Sequence, residues 1–306
     1  MTKVLIATEK PFAPAAVAQM SKICEDAGYQ VQLLEKYTEK EALLEAVGDA
    51  HALIVRSDKV DQQVLDAGRE LKIVVRAGAG YDNVDTAYAK EKGICVMNTP
   101  GQNSNAVAEL AIGLAIFAIR NFFNGTSGGE LRGRVLGLHG YGYVARNVHR
   151  IARGLGMTVK VYTRYSKAQA TSEGLEVTNS LEELYAVSDV VSIHVPARGE
   201  HIKSVSMDVL KHLKKGAVLV NTARKEVVNE EELCQFMTER ADIKYVSDIA
   251  PDCTDRFKQE FEGRYYFTPK KIGAQTAEAN LNAGVAATEQ IVGFLEKGDA
   301  TFQVNS

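Results

Sequence analysis

Cysteine is scarce and scattered in this chain of 306 residues: Cys24, Cys95, Cys234 and Cys253, with no CxxC pair. Such spacing argues against a zinc ribbon or a disulfide framework, so no metal site is expected and reduced thiols of a cytoplasmic protein are. The apolar run near the amino end, residues 4–7, is strand-sized and lacks a signal-peptide core. Long apolar runs are missing elsewhere too. The longest, residues 106–119, contains Glu109 and falls short of the roughly 20 residues a membrane span needs, so a buried helix is expected there. Charge of one sign is also lacking. Lys and Arg total 36 against 39 Asp and Glu, a net charge of −3, which gives no reason to expect nucleic acid or an anionic membrane as partner. A small anionic substrate would need a local cluster of Arg or Lys instead. Low-complexity segments and solenoid-length repeats are absent.

What is present is a globular composition, 45% apolar and 25% charged, with length enough for two domains. Short β-rich runs alternate with helix-like stretches. The runs fall at 4–7, 31–34, 52–55, 73–75 and 94–96, then at 135–138, 159–162, 190–193, 218–220 and 245–246. Alternation of this kind predicts two parallel-sheet α/β units. Between the series lie a loop at 98–101, an apolar helix over about 105–120 and a glycine-rich stretch at 124–129. A C-terminal helix over about 278–297 has room to return to the first unit. The expected division is residues 1–102 plus 284–306 against residues 103–283.

The run at 135–138 leads into Gly140, Gly142 and Ala145 in G-x-G-x-x-A spacing, with Tyr143 and Val144 opening a helix. One glycine makes the tight turn and the next admits a pyrophosphate. Ala145 keeps the helix close to the strand, and the helix N-terminus faces the phosphates. The spacing alone also suits a purely structural turn; the parallel series after it favours a dinucleotide. The strand at 159–162 should then end in the acid that binds the ribose 2′-hydroxyl, but Thr163 and Arg164 stand there. Loss of the carboxylate removes repulsion toward a 2′-phosphate, and Arg164 either pairs with that phosphate or stacks on the adenine. NAD is the expected cofactor, with NADP admitted on this ground.

Arg224 follows the buried run 218–220, at the strand end where parallel sheets bind ligands. Asp248 repeats the arrangement after 245–246, and Lys270 and Lys271 sit in a loop bounded by Pro269 and Gly273. Four segments, residues 76–85, the glycine fingerprint, residues 221–224 and residues 268–274, resemble the D-2-hydroxyacid dehydrogenase family in order and spacing. The resemblance runs over nearly the whole chain. It implies a Rossmann-type cofactor domain inserted into a flavodoxin-like substrate domain, in a homodimer acting on a small-molecule substrate. It implies that Arg224 holds and polarises the substrate carboxylate, since a guanidinium does so bidentately. It also implies cofactor contacts from His194, Pro196, Thr222, Ala223, Asp248 and Gly273, beside Gly140, Gly142, Tyr143, Val144, Thr163 and Arg164.

Two features of that family are missing. Its acid/base His is replaced by Lys271, with Lys270 a rival because the loop carries one extra residue. Its partner Glu falls near Cys253, with Asp252 and Asp255 beside it. The two losses are mutually consistent. A lysine, starting near ~10.4, must be lowered to act as a base, and a carboxylate partner would raise it further. Burial and the neighbouring Arg224 are expected to lower it. The alternative is a chain that has lost the chemistry.

Arg56 and Ser57 end the run at 52–55, and a cation there suits a substrate phosphate. Val55, Arg56 and Ser57, like residues 101–104 with Ala108 and Glu109, resemble the phosphoglycerate-oxidising branch of the family, and Gly78, Ala79 and Asn103 join Arg56 and Ser57 as expected substrate contacts. The long members of that branch carry a C-terminal regulatory domain, and this chain is expected to lack it. The implied reaction is hydride transfer from C2 of 3-phosphoglycerate, which opens serine biosynthesis. A glyoxylate or hydroxypyruvate reductase is a rival on the same fold. A dinucleotide-sensing interaction protein is a rival of another class, with no need for Lys271 or Arg56.

Overall fold

The computed structural model describes residues 1–306. Two compact units divide them: residues 1–103 with 275–306, and residues 104–274. The return to the first unit therefore falls at Gln275, not at 284 as expected. The reason is local. Thr276 caps the helix Ala277–Lys297 by accepting from Ala279 N at 3.1 Å, and Gly298 ends it in the left-handed region. The chain can change units only before so continuous an element.

In the first unit the strands are β1 (Lys3–Thr8), β2 (Gln30–Glu35), β3 (Ala52–Val55), β4 (Ile73–Arg76) and β5 (Cys95–Asn98). They pair in parallel in the order β2-β1-β3-β4-β5, the flavodoxin-like order. All residues of β3 and β5 are buried, which explains why these runs lack the alternation of a half-exposed strand. The C-terminal residues cover the edge of β5. Val304 N donates to Val96 O at 2.9 Å, and the buried Asn305 bonds Val96 N and Ile94 O, each at 2.9 Å.

The second unit holds β6 (Val135–His139), β7 (Thr158–Tyr162), β8 (Glu176–Val177), β9 (Val190–Ile193), β10 (Val218–Asn221), β11 (Lys244–Ser247) and β12 (Tyr265–Phe267). Their order is β12-β11-β10-β9-β6-β7-β8, again parallel throughout. That is the Rossmann order with one strand added. β8 and β12 escape the sequence reading because they are short edge strands with little buried apolar signal. The apolar helix Ser104–Ile119 packs with the helix Tyr143–Gly154 on one face of this sheet. The other face carries a second core that includes Leu184, Tyr185, Phe236 and Phe257.

Gly137 shows how tightly that second face closes. A Cβ there would lie 2.2 Å from Ser188 Oγ and 3.1 Å from Leu184 Cγ. The Ser188 hydroxyl cannot easily yield, because it donates to Leu184 O at 2.6 Å. Gly137→Val is expected to lower stability by about 1–3 kcal/mol through overpacking. The urea midpoint, with the urea dependence (m-value) unchanged, checks this.

Candidate active site

Strand order reverses between β6 and β9, and a crevice opens at such a point because the flanking helices leave on opposite faces. The fingerprint turn sits at this place. Gly140 adopts φ +98°, and a Cβ on it would come within 2.7 Å of Val195 Cγ1 and 3.0 Å of His194 O. Its N–H donates to Tyr162 O at 2.9 Å, while His194 N donates to His139 O at 2.8 Å, so the turn is pinned to both neighbouring strands. A Cβ on Gly142, by contrast, would meet open space. Gly142 is the N-cap of the helix Tyr143–Gly154, whose first turn carries no acid. Tyr143 is exposed and Val144 half-buried.

Beneath the turn, the buried Tyr141 donates to Glu173 at 2.5 Å and meets His149 Nδ1 at 3.1 Å. Burial and the Glu173 carboxylate push the Tyr141 phenol upward. This anchor carries no periodicity signal and is missed in the sequence.

A cavity of about 210 Å³ lies beside the turn, lined among others by His139, Thr163, Arg164, Pro196 and Glu200. His194 is half-buried as a residue, but its Nε2 is enclosed and has no protein partner. Burial pushes the pKa of His139 down to about 3 and lowers that of His194 as well, so both are neutral near pH 7. A mainly apolar slot, an enclosed ring nitrogen and an anion-ready helix start fit a dinucleotide. Thr163 Oγ1 accepts from Ser166 N at 3.3 Å, and Arg164 is engaged by Glu200 and by Tyr162 Oη at 3.4 Å.

Farther along the same edge, β10 ends in Asn221, which folds the next residues into a tight turn. Its Oδ1 accepts from Ala223 N and its Nδ2 donates to Arg224 O, both at 3.0 Å. The turn leaves Thr222 buried with Oγ1 unpartnered. Two cations then meet at one oxygen: Arg224 Nη1 donates to Ala223 O at 3.0 Å and Lys271 Nζ donates to it at 3.1 Å.

Asp248 is the reason Lys271 arrives there. Its buried Oδ1 accepts from Ile272 N at 2.9 Å and Thr268 Oγ1 at 3.1 Å, and Oδ2 accepts from Gly273 N at 2.8 Å. Gly273 is required by this closeness, since a Cβ would fall 2.7 Å from Asp248 Oδ2. The oxygens of Asp248, a residue expected to contact the cofactor, are engaged in holding the loop 268–273. Lys271 is exposed, against the burial expected for it, although its Nζ reaches Ala223 O. Lys270 is exposed as well.

Cys253 turns inward, its Sγ 3.4 Å from Cys234 Sγ, and its N–H donates to Glu230 at 3.1 Å. Asp252 pairs with Lys225, and Asp255 with Lys258 at 3.0 Å. These acids are engaged by other lysines.

In the first unit, Arg56 stands at the corresponding strand-order reversal, between β1 and β3. Its guanidinium donates to Lys10 O at 3.0 Å, to Pro11 O at 3.2 Å and to Asn280, and lies 5.2 Å from the Phe12 ring centre. Two neighbours were not singled out in the sequence. Asp58 is buried and accepts from Glu9 N at 2.7 Å, Tyr37 Oη at 2.8 Å and Arg56 N at 3.1 Å. Arg76 Nε donates to Arg56 O at 2.8 Å, and its Nη1 lies 1.6 Å from where a Gly78 Cβ would be. Gly78 is thus bare because a second arginine crosses it. Ser57 and Ala79 are exposed, and Asn103 is half-buried at the end of this unit's first segment.

A flavodoxin-like unit and a Rossmann unit with such a turn define a dinucleotide-dependent oxidoreductase. Residues 5–305 match the family described as D-isomer specific 2-hydroxyacid dehydrogenase, catalytic domain. The hydroxypyruvate reductase of Thermotoga maritima is 33% identical over 288 residues, covering 88% of this chain and 92% of that protein. The D-3-phosphoglycerate dehydrogenase of Methanocaldococcus jannaschii is 34% identical over 293 residues, covering 88% of this chain but only 54% of that protein. Among solved structures, the NAD+-bound 3-phosphoglycerate dehydrogenase of Entamoeba histolytica superposes with a TM-score of 0.90. It is 44% identical, with 100% of this chain and 99% of that chain covered. The chain belongs to the D-isomer specific 2-hydroxyacid dehydrogenase family, and its activity is that of a 2-hydroxyacid dehydrogenase.

The Asp248 anchor generates a prediction. In Asp248→Asn, one carboxylate oxygen becomes an NH2 group facing a backbone N–H donor. The variant is expected to lose about 1–3 kcal/mol of stability and, below its melting range, about 10²-fold in kcat, the loss that a misplacement of about 1 Å can cause. A variant with unchanged kcat would show that the loop does not need this anchor.

Proposed function

We propose that this chain is an NAD-dependent D-3-phosphoglycerate dehydrogenase, oxidising C2 of 3-phosphoglycerate to give 3-phosphohydroxypyruvate, the first step of L-serine biosynthesis. The observation that carries the chemistry is the convergence of Arg224 and Lys271 on the Ala223 carbonyl. An α-hydroxy carboxylate needs both a fork for its carboxylate and a proton acceptor for its hydroxyl, close together, and this pair provides them. Arg224 holds the carboxylate and fixes the orientation of C2. Lys271, as the free amine, takes the hydroxyl proton at Nζ, and as the ammonium returns it in the reverse direction. A bound nicotinamide supplies the hydride acceptor. Arg56, at the end of β3 with Arg76 beside it, takes the phosphate. The reading places the enzyme in the cytoplasm, as a homodimer.

The likeness to the 3-phosphoglycerate dehydrogenase of Entamoeba histolytica over the full chain supports the substrate. A second reading, hydroxypyruvate reduction, is favoured by the relative from Thermotoga maritima, which this chain matches over 92% of its length. Steady-state rates with 3-phosphoglycerate, phosphohydroxypyruvate, hydroxypyruvate and glyoxylate separate the two.

Lys271→Ala is expected to lower kcat by about 10²–10⁴-fold with cofactor affinity intact, while Lys270→Ala stays mild. In the parent enzyme, oxidation should speed up with rising pH, because the base must be unprotonated. Reduction should slow over the same range, because it needs the ammonium. Full activity in both lysine variants would remove this mechanism.

Arg56→Ala is expected to cut activity on phosphohydroxypyruvate by about tenfold or more, the loss of a charge-assisted bond. Hydroxypyruvate activity should change little. Because Arg56 also ties residues 10 and 11 to Asn280, equal losses on both substrates would mark the residue as structural.

A further inference from the structure

The dinucleotide slot lacks the acid that usually reads the ribose, yet a carboxylate lines its wall. β7 ends at Thr163, whose hydroxyl is turned into the local backbone, accepting from Ser166 N at 3.3 Å. Across the slot, the short turn Gly199–His201 after β9 carries Glu200, which forms an ion pair with Arg164. Arg164 is steadied further by its Nε–H donated to Tyr162 Oη at 3.4 Å. Thr163, Arg164, Tyr162 and Glu200 all line the same cavity.

We propose that Glu200 is a cofactor-specificity residue, replacing from another loop the strand-end acid that Thr163 does not supply. The inference rests on reading this slot as the adenosine end of the dinucleotide site. Arg164 by itself would be a fork for a 2′-phosphate. Glu200 occupies that fork and leaves the pair without net positive charge. To bind NADP the protein must break the pair and set the Glu200 carboxylate against a phosphate of about two negative charges. A ribose 2′-hydroxyl meets no such conflict, and the carboxylate can accept its hydrogen. Sequence reading admits NADP because Thr163 replaces the acid and Arg164 could pair with the phosphate; the ion pair weakens that case. The side chains are about half exposed, 53% and 45%, so solvent screening limits the effect to a modest factor.

The test is binding of NADH and NADPH to the free enzyme, by calorimetry or the fluorescence of the bound dihydronicotinamide. It uses the parent enzyme, Glu200→Gln, Arg164→Ala and the double variant. Glu200→Gln is expected to tighten NADPH by about tenfold, which corresponds to about 1.4 kcal/mol, and to change NADH by less than about threefold. Adding Arg164→Ala should abolish the gain, because it acts through the freed guanidinium. An unchanged NADPH-to-NADH ratio in Glu200→Gln would overturn the proposal, as would a gain that survives in the double variant. A parent enzyme that binds neither dinucleotide would instead overturn the reading of the slot. Melting curves of the variants, expected to match the parent, exclude a folding effect.

Discussion

Asp248, at the end of β11, accepts hydrogen bonds from two backbone N–H groups and one hydroxyl of the loop 268–273. The bonds run from 2.8 to 3.1 Å, the carboxylate is buried, and two of the three donors are backbone groups. A buried carboxylate is costly to desolvate, so it persists only where donors surround it. Here those donors belong to the segment that carries Lys271, and satisfying the charge also sets the course of the loop. Lys271 reaches the Ala223 carbonyl through this anchor and Arg224 through the Asn221 turn. The pairing of the two cations depends on two side chains that need not touch the substrate.

Parallel topology supplies the wider frame. When neighbouring strands run the same way, their carboxyl ends share one edge, and residues far apart in sequence meet there. In the second unit that edge gathers Gly140, Thr163, His194, Arg224 and Asp248 from the ends of β6, β7, β9, β10 and β11. The first unit obeys the same rule with Arg56 and Arg76 after β3 and at the end of β4. In each unit the strands that part company, β6 from β9 and β1 from β3, lead to the fingerprint turn and to Arg56.

Charge on this chain works locally. Its overall balance is nearly even, but Arg56 lies beside Arg76, Arg224 beside Lys271, and Arg164 against Glu200. The first two bring like charges close together near strand ends, and the last sets a cation against a carboxylate beside the dinucleotide slot. The surroundings of Cys253 follow the same pattern. Cys253 is packed against Cys234, and the acids next to it answer other lysines.

The sequence by itself determined ten of the twelve strands, all but the short edge strands β8 and β12, together with the alternation that makes the sheets parallel, the glycine turn and the two candidate cations. These are local or periodic properties: apolar runs of strand length, a spacing of small residues, and charges just past a run's end. It could not determine the unit boundary at Gln275, because a helix's partner is chosen by packing and not by its own pattern. Nor could it show the work of Asp248, the exposure of Lys271, the arginine crossing Gly78 or the hold of Glu200 on Arg164. Each of these is a contact between side chains or loops brought together by the sheet, and a hydrogen bond across 20 or 36 positions leaves no periodic trace in the chain. Composition and spacing establish which groups are available at the edge; only tertiary structure decides which of them are already engaged.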